Sequence, residues 1–228
     1  MRLFGWVHAG LLLTIVVAAA LLAFRSRQQR LPWSRVRLVL GYGLAANELI
    51  WWIFRYSHEG IHLTNLPLQL CDVTLWVTIL ACLTAAPLAI EFAYFAGMAG
   101  SGMALLTPDL WSPWPSYPAV YFFLAHGGVV TASAVLVFGR IQPLRRGALW
   151  RSYALLTAYT LVLGAFNWVV GANYMYLCRK PNGASLLDRL GPWPWYLLPA
   201  MVLALALFWL LWLPARSSPG EKPRRSAG

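Results

Sequence analysis

The apolar positions of this chain neither alternate nor stripe. They come in nearly continuous blocks, cut by short polar breaks. A block of about 20 residues, wound as a helix at 1.5 Å rise per residue, matches the roughly 30 Å hydrocarbon core of a bilayer. Backbone groups in hydrocarbon must be satisfied within their own segment, so the blocks predict helices, not open strands. Seven such spans are expected, at 4–24, 38–56, 67–84, 87–106, 118–138, 152–171 and 193–213. The break Thr84-Ala85-Ala86 is so short that the third and fourth spans should form an antiparallel hairpin. Within the fourth, Ala93, Gly97 and Ser101 recur every four residues, a small-residue face for close helix packing.

Composition agrees with this picture. The chain is 60% hydrophobic and 11% charged, with mean hydropathy +0.60; a soluble domain carries about 25% charged residues. The fold class expected is all-α, a polytopic membrane helix bundle forming one domain over 1–214. A basic, disordered cytoplasmic tail over 215–228 should follow. The formal net charge of +11 does not point to nucleic acid. The basic residues sit in short blocks between spans, as topology determinants do. Arg25, Arg27, Arg30, Arg35 and Arg37 fill the first loop, and Arg140, Arg145, Arg146 and Arg151 the fifth. With the tail, these fall on one side of a seven-span chain. That side is expected to be cytoplasmic and the N-terminus outside, in the cell membrane. Arg179, Lys180 and Arg189 lie against this count.

The polar residues inside spans carry the candidate chemistry, because ionisable groups in a bilayer face a cavity or a partner. Cys71 and Asp72 stand together near the start of the third span, after Leu66-Pro67-Leu68-Gln69-Leu70. Under the expected topology Cys71 and Asn167 lie about 6 Å deep from the outer side, and Glu48 and His126 about 12 Å. Glu91 is the exception, near the inner end. A thiol beside an imidazole is the minimum equipment for covalent acyl transfer. Glu48 or Asp72 would orient the imidazole, and Asn167 and Asn173 would bind an oxyanion or a headgroup. The bland alternatives are packing for Cys82, interhelical hydrogen bonds for His126 and Glu48, and loop-fixing for the two asparagines. The pair Gly127-Gly128 beside His126 is expected to leave space for a cavity. A Cys71–Cys178 disulfide is a further possibility on the outer side.

One motif competes. His58-Glu59-Gly60-Ile61-His62 has the form H-E-x-x-H, which on a helix supplies two zinc ligands and a general base. Its context is poor: it lies between spans, contains Gly, and has no suitably spaced third ligand. No metal and no cofactor are expected.

Several segments carry a family likeness. They are Leu66–Cys71, Phe92-Ala93-Tyr94-Phe95 leading to Leu106-Thr107-Pro108, Tyr121–Gly127, Asn167, Gly171–Leu177, and Gly191-Pro192-Trp193-Pro194. Together they resemble the YwaF-like integral membrane proteins, a bacterial group related to a eukaryotic transmembrane protein implicated in acyl transfer to ether phospholipids. The resemblance implies a multi-span helical fold and an acyl-enzyme carried by a Cys and a His, which correspond here to Cys71 and His126. Asp72 departs from it, standing where a small polar residue is common. The function expected is a phospholipid acyltransferase or transacylase acting on membrane phospholipids, with a lysophospholipid as possible acceptor. The rival classes are a small-molecule or proton-coupled transporter, with a polar track from Glu48 toward Glu91, and a zinc hydrolase.

Overall fold

The computed structural model describes residues 3–110, 112–181 and 186–216. Seven long helices run through them: α1 (Trp6–Arg27), α2 (Trp33–Glu59), α3 (Leu70–Thr84), α4 (Pro87–Leu106), α5 (Tyr117–Phe138), α6 (Ala148–Val170) and α7 (Leu197–Arg216). Five of these, α1 and α4 to α7, are long and apolar enough to cross a membrane by length and composition. α2 is long but carries Arg35, Arg37, Glu48, Arg55 and Glu59; α3 is apolar but has 15 residues. No strand occurs among the described residues. From residue 217 on, the expected tail lies outside them.

Helix boundaries depart from the hydropathy blocks where local chemistry takes over. α3 begins at Leu70, not at Pro67, because Gln69 and Asp72 form a reciprocal capping box. α2 begins at Trp33, so Arg35 and Arg37 belong to a helix and not to a loop. Arg37 reaches across to the C-terminal carbonyls of α3, with Nη1 2.5 Å from Cys82 O and 2.7 Å from Leu83 O. α4 spans 87–106 as the blocks predict, and Ala85 at φ 56° closes the tight hairpin before it. Its middle, Ala93–Gly97, is a π-helical turn whose Ala93 carbonyl accepts from Ser133 Oγ at 3.1 Å.

Side-chain bonds fix the two ends of the bundle. At one end, Glu91 sits 1% exposed and receives both Arg145 and Arg151, at 2.7 to 3.0 Å. These arginines clamp α4 to the start of α6. At the other end His8, fully buried, accepts from Phe4 N and donates to Leu105 O at 2.8 Å, tying α1 to the end of α4.

The core lies between α3, α4 and α5, with Ile90, Tyr94, Phe95, Leu136 and Phe208 almost fully buried. The small-residue face of α4 is internal. A Cβ on Gly97 would stand 3.1 Å from Val129 and 3.6 Å from Thr74. Gly127 and Gly128 do not open a cavity as expected. A Cβ there would meet Ile15 at 2.8 Å and Leu44 at 2.5 Å, so the glycines admit α1 and α2 against α5.

Candidate functional site

α3 opens on Leu70, so Cys71 falls in its first turn, where backbone N–H groups have no intrahelical acceptor. The Asp72 N–H is taken by the Gln69 side chain in the cap. The positive end of the helix dipole lies at the same place. Asp72 is occupied in the cap: one carboxylate oxygen accepts from Gln69 N at 3.0 Å. Cys71 is exposed, Cys82 buried and Cys178 partly buried; all three are free thiols, so the Cys71–Cys178 disulfide considered from the sequence does not form.

Cys71 and His126 line one cavity of about 700 Å³, with Asp72, Trp51, Tyr121 and Met175 among the other walls. That volume is within the usual range for small-molecule pockets. His126 comes from the middle of α5. Its Nδ1 lies 2.8 Å from Phe122 O, four residues back on the same helix. A carbonyl can only accept, so Nδ1 carries the proton in this bond and Nε2 of the neutral ring is an acceptor. The orienting role expected of Glu48 or Asp72 thus falls to the Phe122 carbonyl; neither carboxylate bonds the imidazole. No hydrogen bond joins Cys71 to His126 among the described residues.

Glu48 is fully buried behind the wall. Tyr121 donates to its Oε2 at 2.6 Å, and the Trp52 indole also acts on the carboxylate. Oε1 is buried with no hydrogen-bond partner. Tyr121 in turn stacks on Trp51, with ring centroids 4.2 Å apart and planes 11° apart. In the sequence Tyr121 stands out only as part of an aromatic run. No helical spacing joins it to His126, since five residues place the two about 140° apart around α5; only the tertiary packing puts both on the cavity.

Asn167 and Asn173 do not line this cavity. Asn167 uses both ends of its amide on Tyr174, donating to Tyr174 O at 2.9 Å and accepting from Tyr174 N at 3.0 Å. Asn173 accepts from the amides of Cys178 and Arg179 and donates to Arg179 O. These bonds lock the segment 171–180. Tyr174 carries the lock onward: its hydroxyl donates to Leu63 O and accepts from Leu66 N. Burial pushes its phenol above the ordinary value, which keeps the donor proton in place. Met175 N donates to Gln69 Oε1, and Tyr159 donates to Leu68 O. Asn173 does line a second cavity, of about 440 Å³, which shares Gln69, Asp109 and Tyr176 with the first.

The H-E-x-x-H segment lacks the geometry the motif requires. α2 ends at Glu59, and Gly60 turns away at φ 70°, so His62 is not one helical turn beyond His58. His58 Nδ1 bonds Phe54 O and Glu59 pairs with Arg55. Among the described residues no three His, Cys, Asp or Glu side chains group as metal ligands would. Glu91, the inner end of the polar track a transporter would need, lines neither cavity and is saturated by two arginines.

Compared with known proteins, the chain matches one family model, that of the TMEM164 family, over residues 3–212. No curated protein and no solved structure matches it.

Proposed function

The chain belongs to the TMEM164 family of transmembrane proteins, and on that premise we propose that it is a phospholipid acyltransferase or transacylase of the cell membrane. Cys71 is the nucleophile and His126 the base. The observation that carries this reading is the shared cavity: a free, exposed thiol at a helix N-terminus and an imidazole with Nε2 as its acceptor line one mostly apolar chamber.

Cys71 Sγ attacks the ester carbonyl of a phospholipid while His126 Nε2 takes the thiol proton. Because proton and sulfur move together, no free thiolate has to persist in the chamber. First-turn N–H groups of α3 other than that of Asp72, which the cap takes, are the donors available to the developing oxyanion. Collapse breaks the acyl C–O bond, His126 returns the proton to the leaving lysophospholipid, and a thioester remains on Cys71. The hydroxyl of an acceptor lysophospholipid then gives its proton to His126 and attacks the thioester, which regenerates the thiol. Asp72, Glu48, Asn167 and Asn173 act one step back. Asp72 fixes the turn that holds Cys71, Glu48 holds Tyr121, and the asparagines hold the loop against that turn.

The reading includes the topology expected from charge: seven crossings, with the N-terminus outside and the C-terminus cytoplasmic. The cavity then faces the outer half of the bilayer, at the depth of lipid esters. Incubation of the purified protein with phospholipid labelled in its acyl chains should give a hydroxylamine-sensitive adduct on Cys71. Failure of any adduct to form, with Cys71→Ser and wild type leaving the same lipid profile, refutes the proposal.

A further inference from the structure

Arg179 and Lys180 run against the charge rule that orders the rest of the chain, and the second cavity supplies a reason for them. Both line it, with Asn173 and Asp109. Lys180 is partly engaged, 3.7 Å from Asp188 and 5.6 Å from the Tyr196 ring centroid. The Arg179 guanidinium is exposed and has no ion pair or hydrogen bond among the described residues. Its backbone, in contrast, is held at both ends: Asn173 Oδ1 accepts from Arg179 N and Asn173 Nδ2 donates to Arg179 O. A cation on a fixed backbone with an unoccupied fork is what planar, bidentate recognition of phosphate uses.

The wall common to the two cavities is costly to build. Met175 and Tyr176 have φ of 54° and 55°, a region side chains rarely adopt. Both line the first cavity, and Tyr176 lines both. Backbone held this way persists where its surroundings over-determine it, here through the bonds of Asn167, Asn173 and Gln69.

We infer that the cavity around Arg179 and Lys180 is a phosphate subsite, which holds the phosphodiester of a phospholipid while its chains enter the adjoining chamber of Cys71. The inference rests on the phospholipid reading above. Soluble phosphate has the same recognition chemistry, and the lipid is favoured because the two cavities share a wall.

The test is binding, without turnover. Wild type, Arg179→Gln, Arg179→Lys and Arg179→Gln/Lys180→Gln are purified full length in uncharged detergent and titrated with a diether phospholipid. The same titration is run with the matching dialkylglycerol, which lacks phosphate, and with inorganic phosphate as competitor. Loss of charge-assisted bonds should weaken the double variant for the phospholipid by about 10- to 100-fold. Dialkylglycerol affinity should stay unchanged, Arg179→Lys should retain part of the affinity, and high salt should weaken only the phospholipid. Wild-type affinity in the double variant, or equal loss for both lipids, overturns the inference. So does full displacement by inorganic phosphate at the lipid's own dissociation constant, which would mark a free-phosphate site. Because the diether lipid has no carboxylic ester, a missing Cys71 thioester sinks the acyl-transfer reading without touching this result.

Discussion

The Tyr121 hydroxyl, on the wall of the cavity that holds Cys71, donates a 2.6 Å hydrogen bond to the fully buried carboxylate of Glu48. It is the hydrogen bond that links α2 to α5 at the candidate site, and it reaches a group whose other oxygen has no partner. Tyr121→Phe therefore takes a hydroxyl donor from a buried carboxyl group that is already short of partners, at a cost of about 1–3 kcal/mol. Removing both partners, in Glu48→Leu/Tyr121→Phe, should restore much of that loss. Thermal unfolding of the single and double variants in one detergent decides it; strictly additive losses would show that the bond is not coupled.

The clamp at the other end of the bundle should behave differently from a surface pair. Glu91→Ala leaves two arginines without their acceptor and strips the tie between α4 and α6, so its melting temperature should fall well below wild type. Glu59→Ala breaks only the exposed pair with Arg55, worth about 0.3–0.5 kcal/mol at a helix i,i+4 spacing. Comparable melting temperatures for the two variants would mean that solvent around the arginines has screened the clamp to the level of an ordinary surface contact.

Gly128 should be intolerant of a single methyl group. A Cβ there stands 2.5 Å from Leu44 Cδ2, and overpacking of this kind costs about 1–3 kcal/mol. A Cβ added at Gly43 on α2 would meet no atom within 4 Å, so Gly43→Ala should stabilise by about 0.5–1 kcal/mol. Opposite shifts in melting temperature are expected, and equal shifts would remove the case for close approach of α2 to α5.

His126 should govern the rate of thioester formation and leave the fold in place. His126→Gln removes the Nε2 acceptor and should slow labelling of Cys71 by about a hundred- to ten-thousandfold. The melting temperature should change little, since among the described residues the ring hydrogen-bonds within its own helix. A labelling rate equal to wild type would take the imidazole out of the mechanism.

The helices are legible in the sequence because hydropathy is a local property. The span at 87–106 and the turn at Thr84–Ala86 come out as the sequence pattern sets them. Cys71, in the first turn of α3, and His126, in the middle of α5, line one cavity. What stays hidden depends on which helix faces which. Gly127 and Gly128 are filled by Ile15 and Leu44, residues about 80 to 110 positions away, which no pattern within α5 indicates. The arginines of the fifth loop look like a topology signal because their acceptor, Glu91, is 54 and 60 positions earlier. Gln69 and Asp72 have the spacing of a cap, and the hydropathy of the surrounding block obscures it.

The lock on segment 171–180 also sets an order in time. Tyr174 bonds partners 108 and 111 residues upstream, and Met175 bonds Gln69 from 106 residues away. During synthesis α1 to α5 can be threaded and packed while these partners wait, since chains assemble from the N-terminus. The chamber around Cys71 has no far wall until Met175 and Tyr176 emerge and dock. The nascent protein therefore carries Cys71 in an unfinished pocket while the next hundred or so residues are made, and the cavity is closed by one of the last loops to emerge.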